Sequence, residues 1–84
     1  MEKSIYTGTS LRFRQLLIRA RKAAALTQTE LAERLGEFQS FVSRYERGER
    51  RLDVVEFLQV ARAIGIDPHR IIRELMKPPE RTPR

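Results

Sequence analysis

The chain contains no cysteine, which excludes disulfide bridges and thiolate metal sites. Its one histidine, His69, has no companion ligands and reads as a surface residue near a helix start. No apolar run approaches the roughly 20 residues needed to cross a bilayer. The N-terminal MEKSIYTGTS lacks the apolar core of a secretory signal, so a cytoplasmic protein with no membrane partner is expected. Aromatic residues are 7% of the chain and form no stacking platform of the kind that binds RNA bases. Strand alternation, internal repeats and low-complexity linkers are missing, and the heptad-like stretches are too short for a coiled coil. There is no nucleophile and base motif, glycine-rich phosphate loop or paired-carboxylate signature. Glu30, Glu33 and Glu37 fall along what reads as a solvated helix face. Neither catalysis, a cofactor nor a metal is expected.

A chain of 84 residues makes one small domain, with little room for an elaborate active site or a large ligand pocket. It carries 17 basic and 11 acidic residues, a net charge of +6. Residues 1–26 hold six basic and one acidic, residues 27–51 five of each, and residues 52–84 six and five, so the excess is N-terminal. A basic excess suits a polyanion, although charge alone does not name one.

Start and stop signals place five helices. The first spans about Ser10 to Ala24, capped by Thr9 or Ser10, with Phe13, Leu17, Ala20 and Ala24 inward. The second follows Thr27, whose hydroxyl and the Glu30 carboxylate make a capping box, and ends at Gly36. The third runs from Gln39 to Arg47 and stops at Gly48, a left-handed end position. The fourth has Asp53 and Glu56 as its capping box, Phe57, Leu58, Ala61 and Ile64 inward, and Gly65 as its stop. Asp67 and Pro68 open the fifth, which continues to Met76. Residues 1–9 are expected to be a flexible arm and residues 77–84, KPPERTPR, a disordered tail.

The segment from Gln28 to Arg47 is the most informative. Two short helices join at a glycine turn, with small Ala32 at the crossing and Leu31, Leu35, Val42 and Tyr45 as the shared buried side. The outer face of the second of these helices carries Gln39, Ser40, Ser43 and Arg44, donors and acceptors suited to base edges. This is the shape of a helix-turn-helix.

Residues 11–76 resemble the Cro and phage-repressor family of helix-turn-helix proteins, also called the XRE family. LTQTELAERLG, QSFVSRYERGER and LDVVEFLQVARAIGIDP carry the resemblance. It implies a compact, all-α, five-helix, lambda-repressor-like DNA-binding domain with helices two and three as the helix-turn-helix. The implied function is transcriptional regulation, as a homodimeric repressor on a palindromic site in double-stranded DNA. The alternative is an antitoxin, or another protein-interaction module with a toxin or other partner.

The resemblance also assigns roles. Gln39 becomes the leading base reader, through the bidentate pairing of an amide with adenine, with Ser40, Ser43 and Arg44 beside it. Gln28 becomes a phosphate clamp that braces Gln39, and Thr27, Arg47, Arg50 and Arg51 further phosphate contacts. Arg21 and Glu46 are implied to form a structural pair between helices one and three. Apolar residues on and before the last helix, Ile66, Ile71, Ile72, Leu75 and Met76, are candidates for the dimer interface, part of them belonging to the core. Three positions depart from the family pattern. Glu37 replaces an apolar residue. Phe38 stands where a capping residue is usual and is expected to pack into the core, or else to touch a thymine methyl. Ala25 replaces a glycine, so it either takes a left-handed conformation or the first helix ends differently. Phe41 is left open between packing on helix two and lying against the DNA backbone.

Overall fold

The free N–H groups at a helix start need acceptors, and the short polar side chains of this sequence supply them. The computed structural model describes residues 2–78, with side chains from Gly8 onward. The described helices are α1 (Glu2–Ala23), α2 (Gln28–Leu35), α3 (Gln39–Glu46), α4 (Val54–Ile64) and α5 (Pro68–Met76). At α2, Thr27 Oγ1 accepts from the Glu30 N–H at 3.0 Å while the Thr27 N–H donates to Glu30 Oε1 at 2.9 Å. At α4, Asp53 and Glu56 make the same reciprocal pair, at 2.7 and 3.0 Å. Asp67 accepts from the His69 N–H at 3.0 Å ahead of α5.

The first four helices end alike. A residue with positive φ follows each: Ala25 (60°), Gly36 (72°), Gly48 (81°) and Gly65 (94°). The next N–H then reaches back to a carbonyl inside the helix, Leu26 to Arg21 at 3.1 Å, Glu37 to Ala32 at 2.9 Å, Glu49 to Arg44 at 2.8 Å and Ile66 to Ala61 at 3.0 Å. Only Ala25 has a Cβ in this conformation. It is held there because Leu26 beyond it is buried and the Leu26 carbonyl accepts from Arg21 Nη1 at 2.8 Å.

These ends fold the chain around one core. Helices α2 and α3 pack on each other, α1 crosses α3, α4 and α5, and α4 lies against α2 and α5. Leu17, Leu31, Ala32, Val42, Tyr45, Phe57, Val60, Ile64 and Ile71 form the centre, with Phe13, Ala20, Leu35, Phe41 and Leu75 packed at its edge. Phe13 meets Phe57 edge to face, with ring centroids 5.3 Å apart.

Several expectations are corrected. Helix α1 begins at Glu2, ahead of the start at Ser10 read from the sequence, and so includes residues 2–9. No proline interrupts that stretch, and one glycine is only a mild obstacle. Ala24 lies past the end of α1 and is exposed, as is Leu58, because Val60 takes the inward position on α4. Phe38 is not in the core: it is 83% exposed. Phe41, one turn on, fills the inner place, edge to face with Tyr45 at 5.6 Å. Of the expected tail, Lys77 caps α5 and bonds Glu74 Oε2 at 2.8 Å. Residues 79–84 lie outside the described residues, as does Met1.

An alanine held left-handed costs about 1–2 kcal/mol relative to its right-handed state, and glycine relieves that while adding unfolded-state entropy. Ala25→Gly is therefore expected to stabilise the protein by about 1 kcal/mol, seen as a raised midpoint in urea unfolding. A lowered midpoint would show that the Cβ contributes packing that outweighs the strain.

Candidate nucleic-acid interface

Arg21, near the end of α1, and Glu46, the last residue of α3, are both buried. Arg21 Nε donates to Glu46 Oε2 at 2.8 Å and Arg21 Nη2 to Oε1 at 3.1 Å. A charge taken this far from water is tolerated only when its bonding positions are filled. The remaining Arg21 donor with a recorded partner, Nη1, goes to Leu26, and Glu46 Oε1 accepts a further bond from Gln28 Nε2 at 2.8 Å.

That last bond fixes the next one. A carboxylate paired with a guanidinium can only accept, so Gln28 must turn its NH2 toward Glu46 and its carbonyl oxygen away. Gln39 Nε2 donates to this oxygen at 2.7 Å. Gln39, the first residue of α3, is thereby held with its carbonyl oxygen and second amide hydrogen left over, on an exposed surface. An oxygen acceptor beside an N–H donor is the pattern that pairs with adenine N6 and N7.

Ser40 and Arg44 are exposed on α3 and Ser43 is half-buried. Phe38 makes no side-chain cap; it projects beside Gln39 at the helix start. The residue before α3 and the exposed positions along it thus carry an aromatic ring, two free amide positions, hydroxyls and, in the last turn, a guanidinium.

The helix-turn-helix family model matches residues 17–71, which span the ion pair and all of α2, α3 and α4. An uncharacterized HTH-type transcriptional regulator, y4dJ, of Sinorhizobium fredii is 35% identical over 65 residues, covering 77% of this chain and 79% of that protein. An XRE-family-like protein from Pseudomonas syringae pv. tomato superposes with a TM-score of 0.85 at 49% identity, over 88% of this chain and 90% of the other. The restriction-modification controller protein C.AhdI from Aeromonas hydrophila superposes with a TM-score of 0.68 at 35% identity, over 74% of this chain and 94% of its own. The chain belongs to the XRE-type helix-turn-helix family. This places it among DNA-binding transcriptional regulators.

The XRE-type fold brings the other candidate residues to different fates. Thr27 has its oxygen engaged as a cap, which leaves its O–H to offer. Arg47 pairs with Glu49 at 3.1 Å. Arg50 donates to Glu56 through Nη1 and Nη2, at 3.0 and 2.8 Å, and covers the Phe41 ring at 4.8 Å from its centroid. The guanidinium and the Asp53 N–H together hold the Glu56 carboxyl down at about 2. Of the three arginines after α3, Arg51 is thus the one whose side chain has no partner among the described residues.

Some ties were not anticipated from the sequence. Arg12 Nη2 donates to the Glu74 carbonyl at 2.6 Å, binding α1 to α5, and Arg34 Nη1 to the Ala63 carbonyl at 2.9 Å, binding α2 to α4. Arg14 lies against Gly48, close enough that a Cβ there would come within 2.7 Å of the guanidinium. Its position two turns before Arg21 was the available signal, since that spacing puts both on the α3-facing side of α1.

Removing the Glu46 carboxylate leaves Arg21 buried and uncompensated. Glu46→Ala is expected to destabilise the fold by roughly 3 kcal/mol, measured by urea unfolding. An unchanged midpoint would show that α1 and α3 are held together without the pair.

Proposed function

We propose that this protein is a dimeric repressor, working in the cytoplasm, that reads a palindromic operator by inserting the start of α3 into the major groove. The observation that carries this reading is the fixed orientation of Gln39. Its two free amide positions match an adenine edge, and the Glu46–Gln28 row holds them in place before DNA arrives. Preorganisation of this kind lowers the ordering cost of binding. Ser40, Ser43 and Arg44 extend the base-reading face, and the exposed Phe38 ring is placed to touch a thymine methyl beside the Gln39 contact. Gln28 and Thr27 at the start of α2, with Arg51 as the strongest cation and Arg47 and Arg50 as weaker ones, hold phosphates on either side.

One eight-residue helix contacts too few bases for useful selectivity, and two half-sites about 34 Å apart solve that geometrically. The α5 side offers the surface for pairing. Ile71 belongs to the core, as part of this apolar set was expected to. Ile72 and Met76 remain exposed, Ile66 and Leu75 half so. A dimer bound across a promoter blocks access to it, which supports repression as the mode of regulation.

Binding to a selected operator and to scrambled DNA of equal length, followed by fluorescence anisotropy at fixed salt, tests the reading. Gln39→Ala should lose about 1–3 kcal/mol on the operator and almost nothing on scrambled DNA. Arg51→Ala should weaken both and reduce the salt slope by about 0.9. Equal losses for Gln39→Ala on both DNAs would remove it from base reading.

Ile72→Glu and Met76→Glu should each convert the dimer to monomer in sedimentation without lowering the melting temperature. A dimer that persists in both variants would place the interface elsewhere.

A further inference from the structure

A groove of about 820 Å³ runs between α1 and α5, and no residue of α2 or α3 lines it. On α1, Leu16, Arg19, Ala20 and Ala23 follow the i, i+3, i+4, i+7 spacing that puts them on one side of the helix. On α5, Arg70, Arg73, Glu74 and Lys77 repeat that spacing. The small side chains of Ala20 and Ala23 leave a hollow between the two rows, with Leu16, Ile66 and Ile71 as its apolar floor.

The rim supplies an independent observation. Four basic and two acidic residues surround the floor. Both acids are engaged locally, Asp67 with the His69 ring at 2.8 Å and Glu74 with Lys77 at 2.8 Å. Arg19, Arg70 and Arg73 are exposed and have neither a hydrogen bond nor an ion pair among the described residues; Arg73 and Arg70 feel Asp67 and Glu74 only at longer range. An apolar hollow ringed by three unpaired guanidinium groups complements a surface that is apolar in the middle and acidic at its edges.

We propose that this groove docks an acidic amphipathic helix of another protein, whose apolar side chains fill the hollow while its carboxylates pair with Arg19, Arg70 and Arg73. Two helices side by side form a channel into which the ridge of a third can pack. Each lining row covers seven residue steps, about 10 Å, which matches two turns of the incoming helix. Guanidinium forks match carboxylates in geometry as well as charge. Ile66 is shared with the surface offered for pairing, but Ile72, Leu75 and Met76 do not line the groove, so a partner seated there leaves them free. It also leaves α3 uncovered, and the inference does not rest on the DNA-binding reading.

Selection of helical peptides from a displayed library on the full chain, without DNA, tests the proposal. The selected sequences should carry Leu, Ile or Met at i, i+3 or i+4, and i+7, with Asp or Glu on both flanks. The consensus peptide should bind at about 100 μM or tighter by fluorescence anisotropy. Arg19→Glu combined with Arg73→Glu, both on exposed residues, should weaken it at least tenfold without lowering the melting temperature. Ala23→Trp, on another exposed residue, fills the hollow with every charge in place and should weaken it as much. Failure to select any peptide, a consensus without acidic residues, or an affinity that survives either variant overturns the proposal. So does a shift from dimer to monomer in sedimentation of either variant, which would make the occupant a second copy of this chain. With DNA absent throughout, none of these outcomes bears on the role of Gln39.

Discussion

The buried pair of Arg21 and Glu46 is the interaction on which the rest of this structure depends. Helix α3 is eight residues long and has no side-chain cap, so it is too short to persist on its own. Its place is set from outside. The pair ties its last residue to α1, and the same guanidinium closes the turn at Leu26. Both ions are desolvated, and that cost is offset only by the complete set of bonds around them. The geometry at the surface is in this sense a by-product of satisfying a charge in the interior.

What leaves the interior is a sequence of forced choices. A carboxylate that can only accept orients Gln28, and Gln28 orients Gln39. The residue at the start of α3 thus inherits a fixed pattern of donor and acceptor from a charge two side chains away. Rigid polar chains of this kind also restrict alternatives, since a flipped amide at either glutamine would set like groups against each other.

The arginines divide according to the same logic. Arg12 and Arg34 spend their donors on carbonyls of neighbouring helices, and Arg50 is locked between Glu56 and the Phe41 ring. They contribute to the net charge of +6 mainly as structural members. Arg44 and Arg51 stay exposed without partners among the described residues, and Arg14 is half-buried in the same condition. Unpartnered positive charge is therefore present at α3 and its following loop, as it also is at the exposed Arg19, Lys22 and Arg62 on α1 and α4.

The capping boxes at Thr27 and Asp53, the glycine stops and the proline start of α5 are all readable without a structure, because each is settled by residues a few positions apart. Their outcome depends on local geometry that the side chains carry with them. Ala25 shows where this ceases. Its left-handed conformation runs against its own preference and exists because Leu26 is buried and bonded by Arg21. Phe38 and Phe41 show the same limit. Both are aromatic at the start of α3, and only the position of Tyr45 and Arg50 decides that Phe41 turns inward and Phe38 outward. Leu58 is exposed where an inward position was expected, because Val60 takes that place on α4. The sequence by itself determined the five helices, the ends of α2 to α5 and the helix-turn-helix, since these follow from short-range sterics and hydrogen bonding. Which arginines tie one helix to another and how Gln39 is aimed were decided by tertiary structure, because Arg12, Arg21 and Arg34 bond partners 62, 25 and 29 positions away and Gln28, which holds Gln39, is itself held by Glu46 18 positions on.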